Sequence, residues 1–152
     1  MTTFDKAAYS HANAGAITEA FGRHIIRITA EQTGGRLGCF EAAVPAGEGP
    51  PPHIHEAEDE FFRVLSGTFG FWCNDDYVEL ETDGTICVPR GSVHRFQNIG
   101  SDEGRLMVVM TPGGFEGFFP AVAAERPVTP AEIDRIAARF HLRFVLEAQQ
   151  AA

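Results

Sequence analysis

The sequence predicts an all-β fold, a sandwich or barrel, and three observations carry that prediction. Short runs rich in β-branched and aromatic residues recur from His24 to Thr111. Turn signals separate them roughly every 8–12 residues, the rhythm of sandwiches and barrels. Helical spacing appears only towards the C-terminal end. The chain has 152 residues, is 44% hydrophobic and carries 13 Phe. That length suits one compact domain, and that apolar content argues for a packed core rather than disorder.

Residues 1–20 are rich in Ala and polar residues without a firm period, and are expected to form an N-terminal arm. A barrel domain is expected over 21–125. His24–Thr29 reads as a strand, Gly34-Gly35 as a turn and Cys39–Val44 as a second strand. Gly47 to Pro52 contains three consecutive prolines, whose fixed φ makes a rigid loop. His53-Ile54-His55 follows, then a strand from Glu60 to Leu65, stopped by Ser66-Gly67. Thr68–Cys73 and Tyr77–Glu81 form a hairpin across Asn74-Asp75-Asp76. Asp83-Gly84 turns into a short strand at Thr85–Val88, and Pro89-Arg90-Gly91-Ser92 is a tight turn. His94–Asn98 and Arg105–Thr111 complete the strands, with a turn at Ile99–Asp102.

Phe115–Ala124 reads as one short helix. Thr129-Pro130-Ala131-Glu132 opens another, with a capping hydroxyl, proline at the first position and Glu at the third. Ile133, Ile136, Ala137 and Phe140 follow on one apolar face. This C-terminal helix and tail, 126–152, is expected to pack on the outside of the barrel.

Charge and cysteines narrow the function classes. The formal net charge is −9, and no basic stripe is present. Such a surface disfavours nucleic acid and anionic membranes as partners. No run approaches the ~20 apolar residues of a spanning helix, and the first residues lack the pattern of a secretory leader, so a cytoplasmic protein is expected. Cys39, Cys73 and Cys87 form no Cys-x-x-Cys pair, and are read as buried free thiols.

A metal site needs several lone-pair donors converging on one point. On a strand, residues i and i+2 face the same side, so His53 and His55 point together. Glu60 shares a face with Phe62 and Val64, and His94 with Phe96 and Asn98. Four candidate ligands therefore lie beside apolar, inward residues, where burial without a partner is costly. His11, His24 and His141 read as ordinary core or surface histidines. Glu56, Glu58 and Asp59 read as solvated loop charges, and Arg63, Arg90 and Arg95 as surface charges or anion anchors.

These residues resemble the two motifs of the cupins. The first, Gly-x5-His-x-His-x4-Glu-x6-Gly, is matched by Gly47, His53, His55, Glu60 and Gly67. The second, Gly-x5-Pro-x-Gly-x2-His-x3-Asn, is matched by Pro89, Gly91, His94 and Asn98. Its opening glycine is replaced by Asp83, with Gly84 one place late. The resemblance covers about residues 40–112. It implies a double-stranded β-helix, or jelly-roll barrel, a homodimer, and one divalent transition metal (Fe, Mn, Co, Ni, Cu or Zn) bound by His53, His55, Glu60 and His94.

The wording around Pro50–Gly67 and Val108–Phe119 resembles the small quercetinase-like cupins. That likeness implies a dioxygenase acting on a flavonol-like or other enolisable aromatic small molecule, with Glu60 as ligand and catalytic base. A carboxylate among apolar walls is expected to have raised proton affinity when not fully ligated. Phe62, Phe71, Trp72, Phe96, Asn98 and Phe115 are candidate pocket residues. The alternatives are a non-oxidative cupin enzyme (isomerase, lyase or polyketide cyclase) with the metal as Lewis acid, and a binding protein without catalysis. Gly113–Phe119 reads either as a mobile lid over the barrel mouth or as a connector whose phenylalanines cover the exterior or a dimer contact.

Overall fold

The computed structural model describes residues 3–145. Two antiparallel sheets face each other. The first has six strands in the order β1 (Ala16–Thr18), β2 (Arg23–Ile28), β3 (Gly38–Val44), β10 (Gly104–Thr111), β5 (Asp59–Ser66) and β8 (Thr85–Val88). The second has five: β11 (Leu142–Phe144), β4 (His53–His55), β9 (His94–Asn98), β6 (Thr68–Cys73) and β7 (Asp76–Glu81). This is the two-sheet, helix-poor double-stranded β-helix that the motifs imply.

Strand parity builds the core. Along β10, Leu106, Val108 and Met110 turn inward, opposite Val64, Phe62 and Glu60 of β5. Phe69 and Phe71 of β6 meet them from the second sheet. Phe62, Val64, Phe69, Leu106, Val108 and Met110 are all at most 1% exposed. Each such side chain stabilises the fold by about 1.5–3 kcal/mol relative to exposure. Glu60 stands at the end of this apolar ladder.

Turn chemistry explains the missing motif glycine. Asp83 itself takes the left-handed conformation, φ 73°, at the place where the motif has glycine. Aspartate tolerates that region better than most residues, and the Arg63 guanidinium donates to its carboxylate at 2.7 Å. Gly84 has no positive φ. The turn is therefore preserved with a different residue, and the strands it joins keep their register.

Several elements differ from expectation. The N-terminal arm ends in a strand, because Ala16–Thr18 pairs with His24–Ile26. The C-terminal tail contributes β11, which pairs with β4 through Leu142↔His55 and Phe144↔His53. Residues 146–152 lie outside the described residues. Phe115–Ala124 forms a 3-10 turn (Phe115–Gly117) and helix α1 (Phe118–Glu125). Helix α2 (Pro130–Arg139) carries a full capping box, with Glu132 N–H donating to Thr129 Oγ1 and Thr129 N–H to Glu132 Oε2. Its Ile133, half-buried, and Asp134, exposed, border a chamber between the sheets. Cys39 is buried and Cys73 half-buried, but Cys87 is exposed because β8 is a sheet edge. Among the described residues no helix is long and apolar enough to cross a membrane.

Candidate metal centre

His53, His55, Glu60 and His94 converge, with one ligand atom from each lying within 4.8 Å of the others. Three strands deliver them. β4 is three residues long, and its alternation sends both histidines to one side and Ile54 to the other. β9 pairs His94 directly opposite His53, bringing their ring centroids to 4.3 Å. Glu60 reaches in from the facing sheet. All four are buried.

The hydrogen bonds fix how two of the imidazoles present themselves. His53 Nδ1 lies 2.9 Å from the Pro51 carbonyl, and His94 Nδ1 lies 3.0 Å from the Ser92 carbonyl. A carbonyl only accepts, so each Nδ1 carries the proton and each neutral ring turns a bare Nε2 inward. His94 Nε2 then stands 3.0 Å from Glu60 Oε2, and His55 Nε2 stands 3.2 Å from the same oxygen. Bare ring nitrogens and a carboxylate are all acceptors. Only a proton or a cation between them reconciles the arrangement, so this donor set fits a divalent metal. Nitrogen and oxygen donors of this kind suit first-row ions without selecting one.

The electrostatics follow from the crowding. Burial pushes the Glu60 carboxyl up, but His55 and His94 together outweigh it and hold it far below the ordinary range. The expected raised proton affinity of Glu60 is thus corrected: with no ion between them, His55 and His94 favour its ionised form over the neutral one. Burial, aided by His94 and His55, lowers His53 to about 3. Burial also opposes the His94 cation, yet the hydrogen bond and charge of Glu60 leave it raised.

Glu58, expected in solvent, is only 3% exposed. Burial raises its pKa, against the pull of His55 and His141. Asp59 does face solvent, where Arg90 donates to both its oxygens at 3.1 and 3.2 Å. Arg63 is bound to Asp83, and Arg95 lies 3.6 Å over the Trp72 ring.

Three of the four, His53, His55 and Glu60, line a chamber of about 650 Å³ between the sheets, and His94 stands behind them. Phe96 and Phe115 line it, as expected. Phe62 and Phe71 do not, because they are spent in the core behind it. Trp72 points outward onto Tyr77, its ring centroid 4.6 Å away. Asn98 is fully buried and structural, donating to the carbonyls of Val44 and Asp102 and accepting from Gly100 N–H. His24, Phe40, Phe119 and Phe144 complete the wall and were not among the expected pocket residues. For His24 the signal was available, since it shares a strand face with buried Ile26.

The phenylalanines of the Gly113–Phe119 segment face inward. Phe115, Phe118 and Phe119 are all buried, and Phe115 meets the His55 ring edge-on at 4.4 Å. Buried Glu116 accepts from Gly114 N–H and Ala30 N–H, tying the segment to the chain before β3.

Comparison with known proteins follows the same lines. Residues 40–110 match the family described as Cupin domain. The Tetracenomycin polyketide synthase protein TcmJ of Streptomyces glaucescens is 32% identical over 80 residues, covering 53% of this chain and 52% of that protein. Oxidoreductase OpS7 of Beauveria bassiana is 43% identical over 49 residues, covering 32% of this chain and 16% of that protein. The chain thus spans about half of the first and a small part of the second. An RmlC-like cupin from Shewanella frigidimarina superposes with a TM-score of 0.60 at 15% identity, over 71% of this chain and 93% of that one. The domain match covers just under half of the chain, and the superposition shows a shared fold.

Proposed function

We propose, taking the cupin domain as premise, that this protein is a metal-dependent enzyme for an uncharged, flat, enolisable aromatic substrate, and that it acts as a dioxygenase. One observation carries the proposal. The donor set of His53, His55, Glu60 and His94 opens, through His53, His55 and Glu60, into a phenylalanine-walled chamber with no Lys or Arg among its lining residues. A volume of about 650 Å³ falls in the range of pockets that enclose ligands of a few fused rings. A substrate with its own negative charge would find Glu48, Glu60 and Asp134 in that lining and no side-chain counter-charge.

A divalent ion held by the four residues would supply Lewis acidity towards an enol or phenol oxygen and, if redox-active, a route for electrons to dioxygen. The protein's own residues do the rest. Phe40, Phe96 and Phe115 offer faces and edges against which a planar ring system orients, and they exclude water. Glu60, kept ionised by His55 and His94, is the acceptor available to an enol proton. Its low proton affinity makes it a weak base while both imidazoles stand beside it.

The test is oxygen uptake by metal-loaded protein with flavonols and related enols, aerobic against anaerobic. Oxygen consumed in step with substrate supports the proposal. Unchanged substrate under both conditions, across iron, manganese, cobalt, nickel and copper loading, refutes it. A second reading, non-oxidative conversion of a polyketide, is favoured by the similarity to the Tetracenomycin polyketide synthase protein TcmJ. It predicts turnover that persists without oxygen and with zinc.

A further inference from the structure

We propose that Glu58 is a positioning residue for the metal centre: its carboxylate accepts the His55 Nδ1 proton and so turns His55 Nε2 towards the ion. The inference rests on the metal reading above and concerns a residue outside the four-ligand set.

The three histidines are not held alike. His53 and His94 each commit Nδ1 to the carbonyl two residues earlier, at 2.9 and 3.0 Å. His55 has no such bond, and its buried Nδ1 lacks any hydrogen-bond partner. Glu58 Oε2 is also buried without a partner. The two orphaned atoms face each other at 3.9 Å. Among the described residues only one other buried side-chain atom, Thr18 Oγ1, shares that condition. Two complementary unpaired groups side by side are rare in a folded interior, where buried polar atoms are almost always satisfied.

The spacing is beyond hydrogen-bond range by roughly 1 Å, a gap that one rotation of the Glu58 side chain or a small shift of His55 closes. Metal-ligating histidines usually donate their other ring N–H to a carboxylate or carbonyl, which fixes the tautomer and strengthens the ligand. Glu58 is the group placed to do this for His55, in the turn between β4 and β5. Phe115 packs edge-on against the same ring, which leaves His55 little freedom to find another partner.

The test compares wild type, Glu58→Gln and Glu58→Leu in two measurements: zinc affinity by competition with a chromogenic chelator, and thermal unfolding of the metal-free proteins. Losing the partner should weaken zinc binding by about 10–100-fold in Glu58→Leu, with Glu58→Gln intermediate because its amide oxygen still accepts. The metal-free Glu58→Leu protein should melt no lower than wild type, since it no longer buries an unpaired carboxylate. A purely structural role would instead lower melting and leave affinity intact. In zinc-loaded wild type, ¹H–¹⁵N correlation of the imidazoles should show a protected proton on His55 Nδ1. Variant affinities within twofold of wild type overturn the inference alone. A wild type that binds no zinc overturns the metal reading together with it.

Discussion

Lowering the pH from 7 to 4.5 should destabilise the metal-free protein by about 2.5 kcal/mol more than it destabilises His24→Phe. His24 is 8% exposed and stacks on Phe119 at 3.6 Å, with Nδ1 3.2 Å from the Gly22 carbonyl. Burial lowers its pKa from 6.5 to about 4, although the carbonyls of Gly22 and Ala20 favour the cation. Below its ordinary pKa the unfolded chain takes up a proton that the folded chain refuses. The stability His24 contributes is therefore complete above pH 6.5 and is lost as the pH falls towards 4. At about 1.36 kcal/mol per pKa unit, the full window corresponds to about 3.4 kcal/mol, most of it lost by pH 4.5. Phenylalanine keeps the stacking and removes the titration. His53 and the carboxylates act in both proteins and cancel in the comparison. Urea unfolding of chelator-stripped protein at pH 7, 5.5 and 4.5 measures the difference. Parallel pH dependences for the two proteins would refute the assignment.

Three further outcomes are expected. Glu60→Ala should reduce bound metal to background in elemental analysis, since the only carboxylate in the four-ligand set is removed. Phe115→Ala should cost about 3–5 kcal/mol in denaturant unfolding, because it leaves a void against His55, Phe40 and Phe118. Asp83→Gly should be neutral within about 0.5 kcal/mol, as relief at a positive φ offsets an exposed ion pair, whereas Asp83→Ala should cost about 1 kcal/mol.

The strands and the four converging side chains were legible because both follow from period two. His53 and His55, and Glu60 with Phe62, must share faces whatever surrounds them. The same rule, applied strictly, separates Phe71 from Trp72: adjacent residues on β6 cannot both face the chamber, and Trp72 faces outward. Depth was not legible. Phe62 and Phe96 are both inward, yet only Phe96 reaches the chamber, and that difference depends on how far each lies from the end of the barrel. Glu58 was hidden because a charged residue in an acidic turn ordinarily faces water. Its burial comes from the packing of the turn, which alternation does not describe. β11 was hidden because its pairing with β4 joins residues almost ninety positions apart, and three residues leave almost no pattern of their own.

That last pairing bears on how long an ion would stay. β4 carries two of the four ligands, yet it meets β9 through a single residue pair and is otherwise held by the three-residue β11 and by Gly91 N–H, which donates to the His55 carbonyl at 2.9 Å. Short, terminal pairings open far more often than central ladders. An ion bound there is expected to leave faster where the pairing of Leu142–Phe144 with His53–His55 is weakened. The dissociation rate is then expected to respond to substitutions in β11, such as at Arg143, that lie outside the four-ligand set.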